Sequence, residues 1–279
     1  GLRLSSATGI PWIADFRDPW TKMFYFKHLG LTSWAEEKHH RLEQSVLDGA
    51  TRVIAVSPLV QDEFKAMTKT PVELITNGFD EEDFKKDFEL DENFNITHTG
   101  LFASDGNPET LWKVLAQKCE EDEEFRRSLR IRLVGKTDRE ITASIEVAGL
   151  VGNLKDFGYQ DHETAVREQL NASVLILPLR KEPEYRAVLP GKLFEYLASR
   201  RPILGIGQTD GAMARIVSET GSGVVYDWDD EKRIRVWIDF CWEEFKNDEL
   251  HDNTSDISRF SRRNLTVRLA ELLNQITEK

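Results

Sequence analysis

The sequence predicts an α/β protein with two parallel sheets, and three observations carry that prediction. From about Asn95 onward, short β-rich runs alternate with helical patterns, as they do where a parallel sheet is covered by helices. Two of those runs, "SVLILPL" and "PILGIG", are apolar enough to be buried on both sheet faces. Residues 1–76 look different, offering three strand candidates with two helices between them. Together these patterns predict a Rossmann-like, doubly wound domain plus an incomplete second α/β domain.

In chain order, the first region carries "IPWIADF", "TRVIAVS" and "VELIT" as strands, and Ser57-Pro58 caps one of its helices. So small a sheet keeps an unpaired edge. The chain opens Gly1-Leu2-Arg3 without a methionine and reaches its first strand almost at once, which suggests an excerpt of a longer protein. Asn77-Gly78 is a turn signal, and "FDEEDFKKDFELDEN" reads as a charged connector. The expected division is therefore 1–76 as a partial N-terminal domain, 77–94 as a linker and 95–254 as the larger domain. Residues 255–279 form a helix expected to pack back toward the N-terminal part; "SDISRFSRRNLTVRLAELLNQI" is amphipathic. Within the larger domain the strands are "NITHTGLF", "RIRLVG", "NLKDFGY", "SVLILPL", "PILGIG" and "GVVYDW". Helix starts are marked by Asn107-Pro108-Glu109, a cap followed by proline and an acidic first turn, and by Asp210 before Met213.

At 279 residues with 40% hydrophobic content, the chain can fill one large core or two ordinary ones. A formal net charge of -12 argues against a nucleic-acid binder, which needs clustered Lys and Arg, but leaves room for a local anion pocket. Cys119 and Cys241 have no metal-ligand spacing and read as buried thiols in a reducing compartment. No apolar run approaches the roughly 20 residues of a membrane span, and the first residues lack a signal peptide's apolar core. A cytoplasmic location is expected.

The stretch "VLPGKLFEYLASRRPILGIG" asks for a chemical explanation. Its helix places Leu193, Phe194, Leu197 and Ala198 on one face and leaves Lys192 and Glu195 three apart on another. Ligands of open α/β sheets sit beyond the carboxyl ends of strands, where helix N-termini offer free N–H groups. Lys192 at a helix start would meet an anion there, most simply a phosphate, and Glu195 would accept from paired hydroxyls such as those of a ribose. The alternative is a solvated Lys-Glu pair worth ~0.2–0.5 kcal/mol.

With this segment in place, the chain resembles the GT-B glycosyltransferases of family 4. "IPWIADFRDPW" and "RVIAVSPLVQDEF" resemble late acceptor-domain elements, and "LITNGFDEEDF" the interdomain crossover. "THTGLF" resembles the first donor-domain strand and Gly loop, and "LPGKLFEYLASRRPIL" the ribose-binding helix. The resemblance implies sugar transfer from a nucleotide-sugar such as a UDP- or GDP-sugar, with no other cofactor. The acceptor it implies is a glycan or lipid-linked molecule, in polysaccharide or surface-glycan assembly, with retained anomeric configuration. On that basis Lys192 and the backbone of Gly100 and Gly191 are assigned to the diphosphate and Glu195 to the ribose, with Pro190 as a further donor-site residue. Lys192 and Asp18 are the catalytic candidates. Arg186 is a second cation for the donor or else an exposed surface arginine. Tyr159, in "FGY", lines the base pocket or packs in the core; Lys136 is a candidate to lie beside the base.

Departures from the family pattern are visible. Ala187 occupies the place of a Glu expected eight positions before Glu195, with Glu182 or Glu184 as substitutes from the same loop. An Arg and Lys pair is missing from "TGLFASDGNPET", and Lys192 is expected to take over part of its charge. A Pro-x-Lys-x-x-Glu-Tyr subgroup is the most similar. These departures keep a noncatalytic nucleotide-binding or interaction module, with a degenerate donor site, as the competing reading. A nicotinamide enzyme is disfavoured because no strand-linked Gly-x-Gly-x-x-Gly with a following acid is present.

The remaining candidates divide between two readings each. Asp227-Trp228-Asp229 suggests either a metal site or acids favouring a helix N-terminus, and the second is expected, so no metal site is assigned. His39-His40 cannot share a helix face, and His98 precedes the Gly loop as a strand residue or a donor contact. Arg17 and Asp18 of "DFRDPW" touch the sugars or shape a turn before Pro19. The aromatic run "WTKMFYFKHLGLTSW", with Lys22 and Lys27, either packs in an interior or meets a membrane interface, which would make the protein peripherally membrane-associated.

Overall fold

The computed structural model describes residues 1–85, 92–250 and 255–277. They form two compact units, one of Gly1–Gly78, Glu182–Leu189 and Ser258–Lys279, the other of Phe79–Lys181 and Pro190–Ile257.

In the first unit, α1 (Leu2–Thr8) precedes β1 (Ile13–Phe16), α2 (Ser33–Gly49), β2 (Arg52–Ala55), α3 (Pro58–Met67) and β3 (Val72–Leu74). The strands pair in parallel in the order β1-β2-β3, with Ala14 opposite Val53 and Val53 opposite Val72. Helices α2 and α3 start where the sequence supplies an acceptor for the free backbone N–H groups. Thr32 accepts from the Ala35 N–H at α2, and Ser57 from the Val60 N–H at α3 with Pro58 as its first residue. Helix α1 buries no side chain, so it leaves no apolar period to read in the sequence. Val53, Leu47, Val60 and Phe64 build one core.

The second unit opens with β4 (Phe94–Thr99), α4 (Glu109–Glu121), α5 (Glu123–Ser128), β5 (Leu129–Val134), α6 (Arg139–Val147), β6 (Leu154–Gly158) and α7 (His162–Leu170). It continues through β7 (Val174–Pro178), α8 (Gly191–Ser199), β8 (Ile203–Ile206), α9 (Ala212–Glu219), β9 (Gly223–Tyr226) and α10 (Glu231–Lys246). All six strands are parallel, in the order β6-β5-β4-β7-β8-β9. The chain therefore winds outward from β4 in one direction and then restarts beside it with β7. Right-handed crossovers put the two sets of helices on opposite faces, so the β4/β7 boundary is the topological switch point. Strand β4 is buried along its whole length.

The final helix of the chain, α11 (Arg262–Thr277), belongs to the first unit, where Leu265 and Leu272 pack on Ile54 and Ile75.

Two helix starts differ from the sequence expectation. At α4 the capping position is Pro108, because Asn107 Oδ1 accepts from the Trp112 indole N–H at 2.8 Å. Trp112 is buried and its N–H needs a partner, which removes the Asn107 side chain from the backbone. At α9 the cap is Gly211, without a side-chain cap bond, and Asp210 lies one residue too early for that role. Of the charged connector, Asp80 opens a short 3-10 turn by accepting from Glu82 N–H at 3.1 Å; residues 86–91 lie outside the described residues. Cys119 and Cys241 are both free and buried, and burial raises the Cys119 thiol to about 11. No helix among the described residues is long and apolar enough to cross a membrane.

Candidate functional site at the end of the first large-sheet strand

Strand β4 ends in His98-Thr99 and runs into Gly100, whose φ of +85° suits a residue without a side chain. This turn is pinned to the end of β5. Gly100 N–H donates to Val134 O at 2.7 Å, and Phe102 N–H to Lys136 O at 2.9 Å. Gly135 comes so close that a Cβ there would stand 2.4 Å from Gly100 O. The loop thus presents bare backbone at the switch point.

Above it lies the first turn of α8. Pro190 occupies the N-cap with no side-chain bond to the helix, so the first N–H groups of α8 are not capped from the side. A Cβ placed on Gly191 would meet nothing within 4 Å, so the backbone there is open to a ligand. Lys192 extends over the glycine turn: a Cβ on Gly100 would stand 3.3 Å from its Nζ. That ammonium donates to His98 Nε2 at 3.0 Å and to Leu101 O at 3.1 Å. Its third N–H has no partner among the described residues. Burial lowers Lys192 to about 8, with the Glu195 carboxylate opposing the shift. His98 is buried and held well below the ordinary imidazole range, by burial first and the Lys192 charge second. At neutral pH the pair is therefore an ammonium held by a neutral imidazole.

Glu195 stands one turn along α8, and its Oε2 accepts from Gln169 Nε2 at 2.9 Å. The same amide donates to Thr99 Oγ1 at 3.0 Å, and Tyr196 OH accepts from the Thr99 N–H at 2.9 Å. Burial raises Tyr196 to about 12, so it stays a neutral hydroxyl. Strand β4, α7 and α8 are tied into one polar network that holds Lys192 and Glu195 in place. A cation, uncapped helix N–H groups and glycine backbone are groups that can receive an anion, and Glu195 can accept from hydroxyls beside them.

Among the expected site residues, the structure brings together Gly100, Pro190, Gly191, Lys192 and Glu195. Lys136 contributes its carbonyl to the loop while the residue itself is exposed. Tyr159, just after β6, is 87% exposed and packs in no core. Arg186 is exposed on the Pro183–Ala187 turn, which belongs to the first unit. Asp18 is also in the first unit, where it lines a cavity of about 140 Å³ with Arg17, Lys22, Phe24 and Tyr185. Arg17 pairs with Asp15 at 2.9 Å and Lys22 with Glu63 at 3.0 Å. Glu184 pairs with Lys27 at 2.9 Å, a bond that holds its carboxyl below the usual range. Ala187 packs against the apolar core of the first unit.

His39 and His40 are packing residues: His39 Nδ1 accepts from the Trp20 indole at 3.2 Å, and both rings lean on Phe26. The aromatic run divides, with Phe26 buried and Tyr25, Leu29 and Trp34 exposed. Asp227 Oδ1 accepts from Asp229 N–H at 3.2 Å, and Asp230 caps α10. Two site residues go beyond the sequence expectation: Gln169, which no local pattern marks, and Tyr196, which closes the Pro-x-Lys-x-x-Glu-Tyr pattern but was given no role there. The position of His98 just before the Gly loop was the available signal for its contact with Lys192.

No family model matches the chain, and no curated protein matches it. Several solved structures do. Sucrose-phosphate synthase from Thermosynechococcus elongatus is 18% identical with a TM-score of 0.71, over 98% of this chain and 70% of that one. Anabaena HepE, in a complex with UDP-glucose, is 18% identical with a TM-score of 0.71, over 99% of this chain and 75% of that one. An α,α-trehalose-phosphate synthase (UDP-forming) from Burkholderia vietnamiensis is 9% identical with a TM-score of 0.66, over 99% of this chain and 68% of that one. The larger unit's strand order and these likenesses lead to one conclusion about architecture: the chain has the fold of the GT-B glycosyltransferases.

Proposed function

We propose that the protein is a family-4-like glycosyltransferase whose larger unit binds a nucleotide-sugar and passes its sugar to a glycan or lipid-linked acceptor. The observation that carries this reading is the Lys192 ammonium held over the Gly100 turn, at the N-terminus of α8 and beside Glu195. As the glycosidic bond breaks, negative charge grows on the departing nucleoside diphosphate. Lys192 and the α8 N–H groups would stabilise that charge where it develops. Glu195, held by Gln169, would accept from the ribose hydroxyls. Sugar transfer with retention, in surface-glycan or polysaccharide assembly in the cytoplasm, completes the reading. Exposed Tyr25, Leu29 and Trp34, with Lys38 5.2 Å from the Trp34 ring, suit an acceptor that carries a lipid.

The experiment is a calorimetric titration of the chain with UDP, GDP, ADP and CMP, with and without a chelator. UDP is the first choice because HepE is in complex with UDP-glucose. Saturable, chelator-insensitive binding of one nucleotide supports the reading; no binding of any contradicts it. Ala187, half-buried and packed against an apolar core where the family pattern expects a carboxylate, favours a second reading, a noncatalytic nucleotide-binding module. Nucleotide binding without donor hydrolysis or sugar transfer would support that alternative.

A further inference from the structure

Buried histidines in strands usually serve packing, yet His98 spends its Nε2 on a lysine 94 positions away in sequence. Its ring is fixed by stacking on Phe102, with centroids 4.1 Å apart and planes 28° apart. Phe102 is itself buried and tied to the end of β5 through its backbone. The imidazole therefore has little freedom to turn, and an ammonium that meets it is held in one direction. A flexible lysine stem would otherwise sample many rotamers. Nδ1 of His98 is buried and has no partner among the described residues, so the imidazole's engagement in this network is through Nε2.

We propose that His98 is a positioning residue for the donor site: its Nε2 accepts from Lys192 Nζ and aims the remaining ammonium N–H at the diphosphate. This rests on the donor-site reading above. The groups facing Lys192 are few. His98 comes from β4, the Leu101 carbonyl from the glycine loop, and Glu195 from α8 itself, with Gln169 of α7 holding Glu195. A neutral acceptor such as His98 favours the charged form of the lysine, so losing it shifts Lys192 further toward the neutral amine.

Two variants and two measurements test the assignment. His98→Phe keeps a ring to stack on Phe102 and removes the acceptor; His98→Gln restores an acceptor near the Nε2 position. Nitrogen NMR on the histidine-labelled full chain, with His98 identified by its absence in the Phe variant, should show Nε2 unprotonated and Nδ1 carrying the proton at pH 7. A protonated Nε2 overturns the proposal without touching the donor-site reading. Calorimetry with UDP and GDP, and with uridine and guanosine, supplies the second readout. His98→Phe should weaken the nucleoside diphosphate that binds by about tenfold, the scale of one lost charge-assisted hydrogen bond, and leave the nucleoside within about twofold. His98→Gln should recover most of that loss, and the pH above which binding falls should move lower in the Phe variant. Unchanged diphosphate binding in His98→Phe, equal loss of nucleoside and diphosphate, or no recovery with Gln would each overturn it. A wild-type chain that binds neither UDP nor GDP overturns the donor-site reading and the phosphate role of His98 together, whatever the imidazole shows.

Discussion

Lys192 and Glu195 are separated by three positions and carry opposite charge, yet each is engaged by a different partner. Lys192 bonds to His98 and the Leu101 carbonyl, and Glu195 to Gln169. A solvated surface pair would not recruit a buried imidazole and a buried amide, so the two side chains are presented separately. Removing the carboxylate should therefore act on ribose recognition: Glu195→Ala is expected to weaken nucleoside diphosphate binding by about 1–3 kcal/mol, measured by calorimetry. An unchanged isotherm would take Glu195 out of the site. The lysine makes a separate prediction about pH. Its folded value of about 8 lies below the ordinary lysine range because of burial, so the free site loses its cation as pH rises through about 8. Diphosphate affinity should decline as pH rises above about 8, with proton uptake on binding in that upper range. Titrations in buffers of differing ionisation heat would reveal it, and a flat profile to pH 9.5 would exclude Lys192 from the phosphate contact.

At the scale of elements, the site depends on how closely the β4 turn and the end of β5 approach each other. Gly135, with φ of +129°, faces Gly100 O so tightly that any side chain must displace backbone. Gly135→Ala should lower the stability of the larger unit by about 1–3 kcal/mol in denaturant unfolding and weaken nucleotide binding at the same time. Wild-type stability and binding would mean that this approach is not needed. All nine strand segments expected from the sequence form strands, because buried parallel strands are apolar runs closed by turn residues. Helix starts were less legible. The Asn107 side chain looked free to cap α4 until the fold brought the Trp112 indole to it, and Asp210 is displaced from the cap by Gly211. Local patterns report what neighbours in the chain can do, and an indole that arrives by folding overrides them.

Across the whole molecule, chain order and spatial membership part company at two segments, the final Ser258–Lys279 and the internal Glu182–Leu189, and only the first was expected from the sequence. Glu182–Leu189 follows β7 and precedes α8 of the larger unit, yet it packs in the smaller one, through the Tyr185 ring on Phe24 and the Lys27–Glu184 pair. Nothing within "EPEYRAVL" announces that, since an ion pair spanning 157 positions has no local signature. The same limit hid His98 and Gln169 as neighbours of Lys192 and Glu195. What could be read locally was the helix carrying Lys192 and Glu195 and the glycine turn; what could not was the buried set of groups that holds them. A phosphate contact at Lys192 would depend on the side chain, on the glycine turn beneath it and on the fold that brings His98 to it. It is tested most directly by titrating the wild-type chain and Lys192→Ala with a nucleoside diphosphate and with its parent nucleoside. The variant should lose about tenfold or more in diphosphate affinity while nucleoside binding barely changes, the pattern of a lost charge contact. Equal losses for both ligands, or none for either, would contradict it.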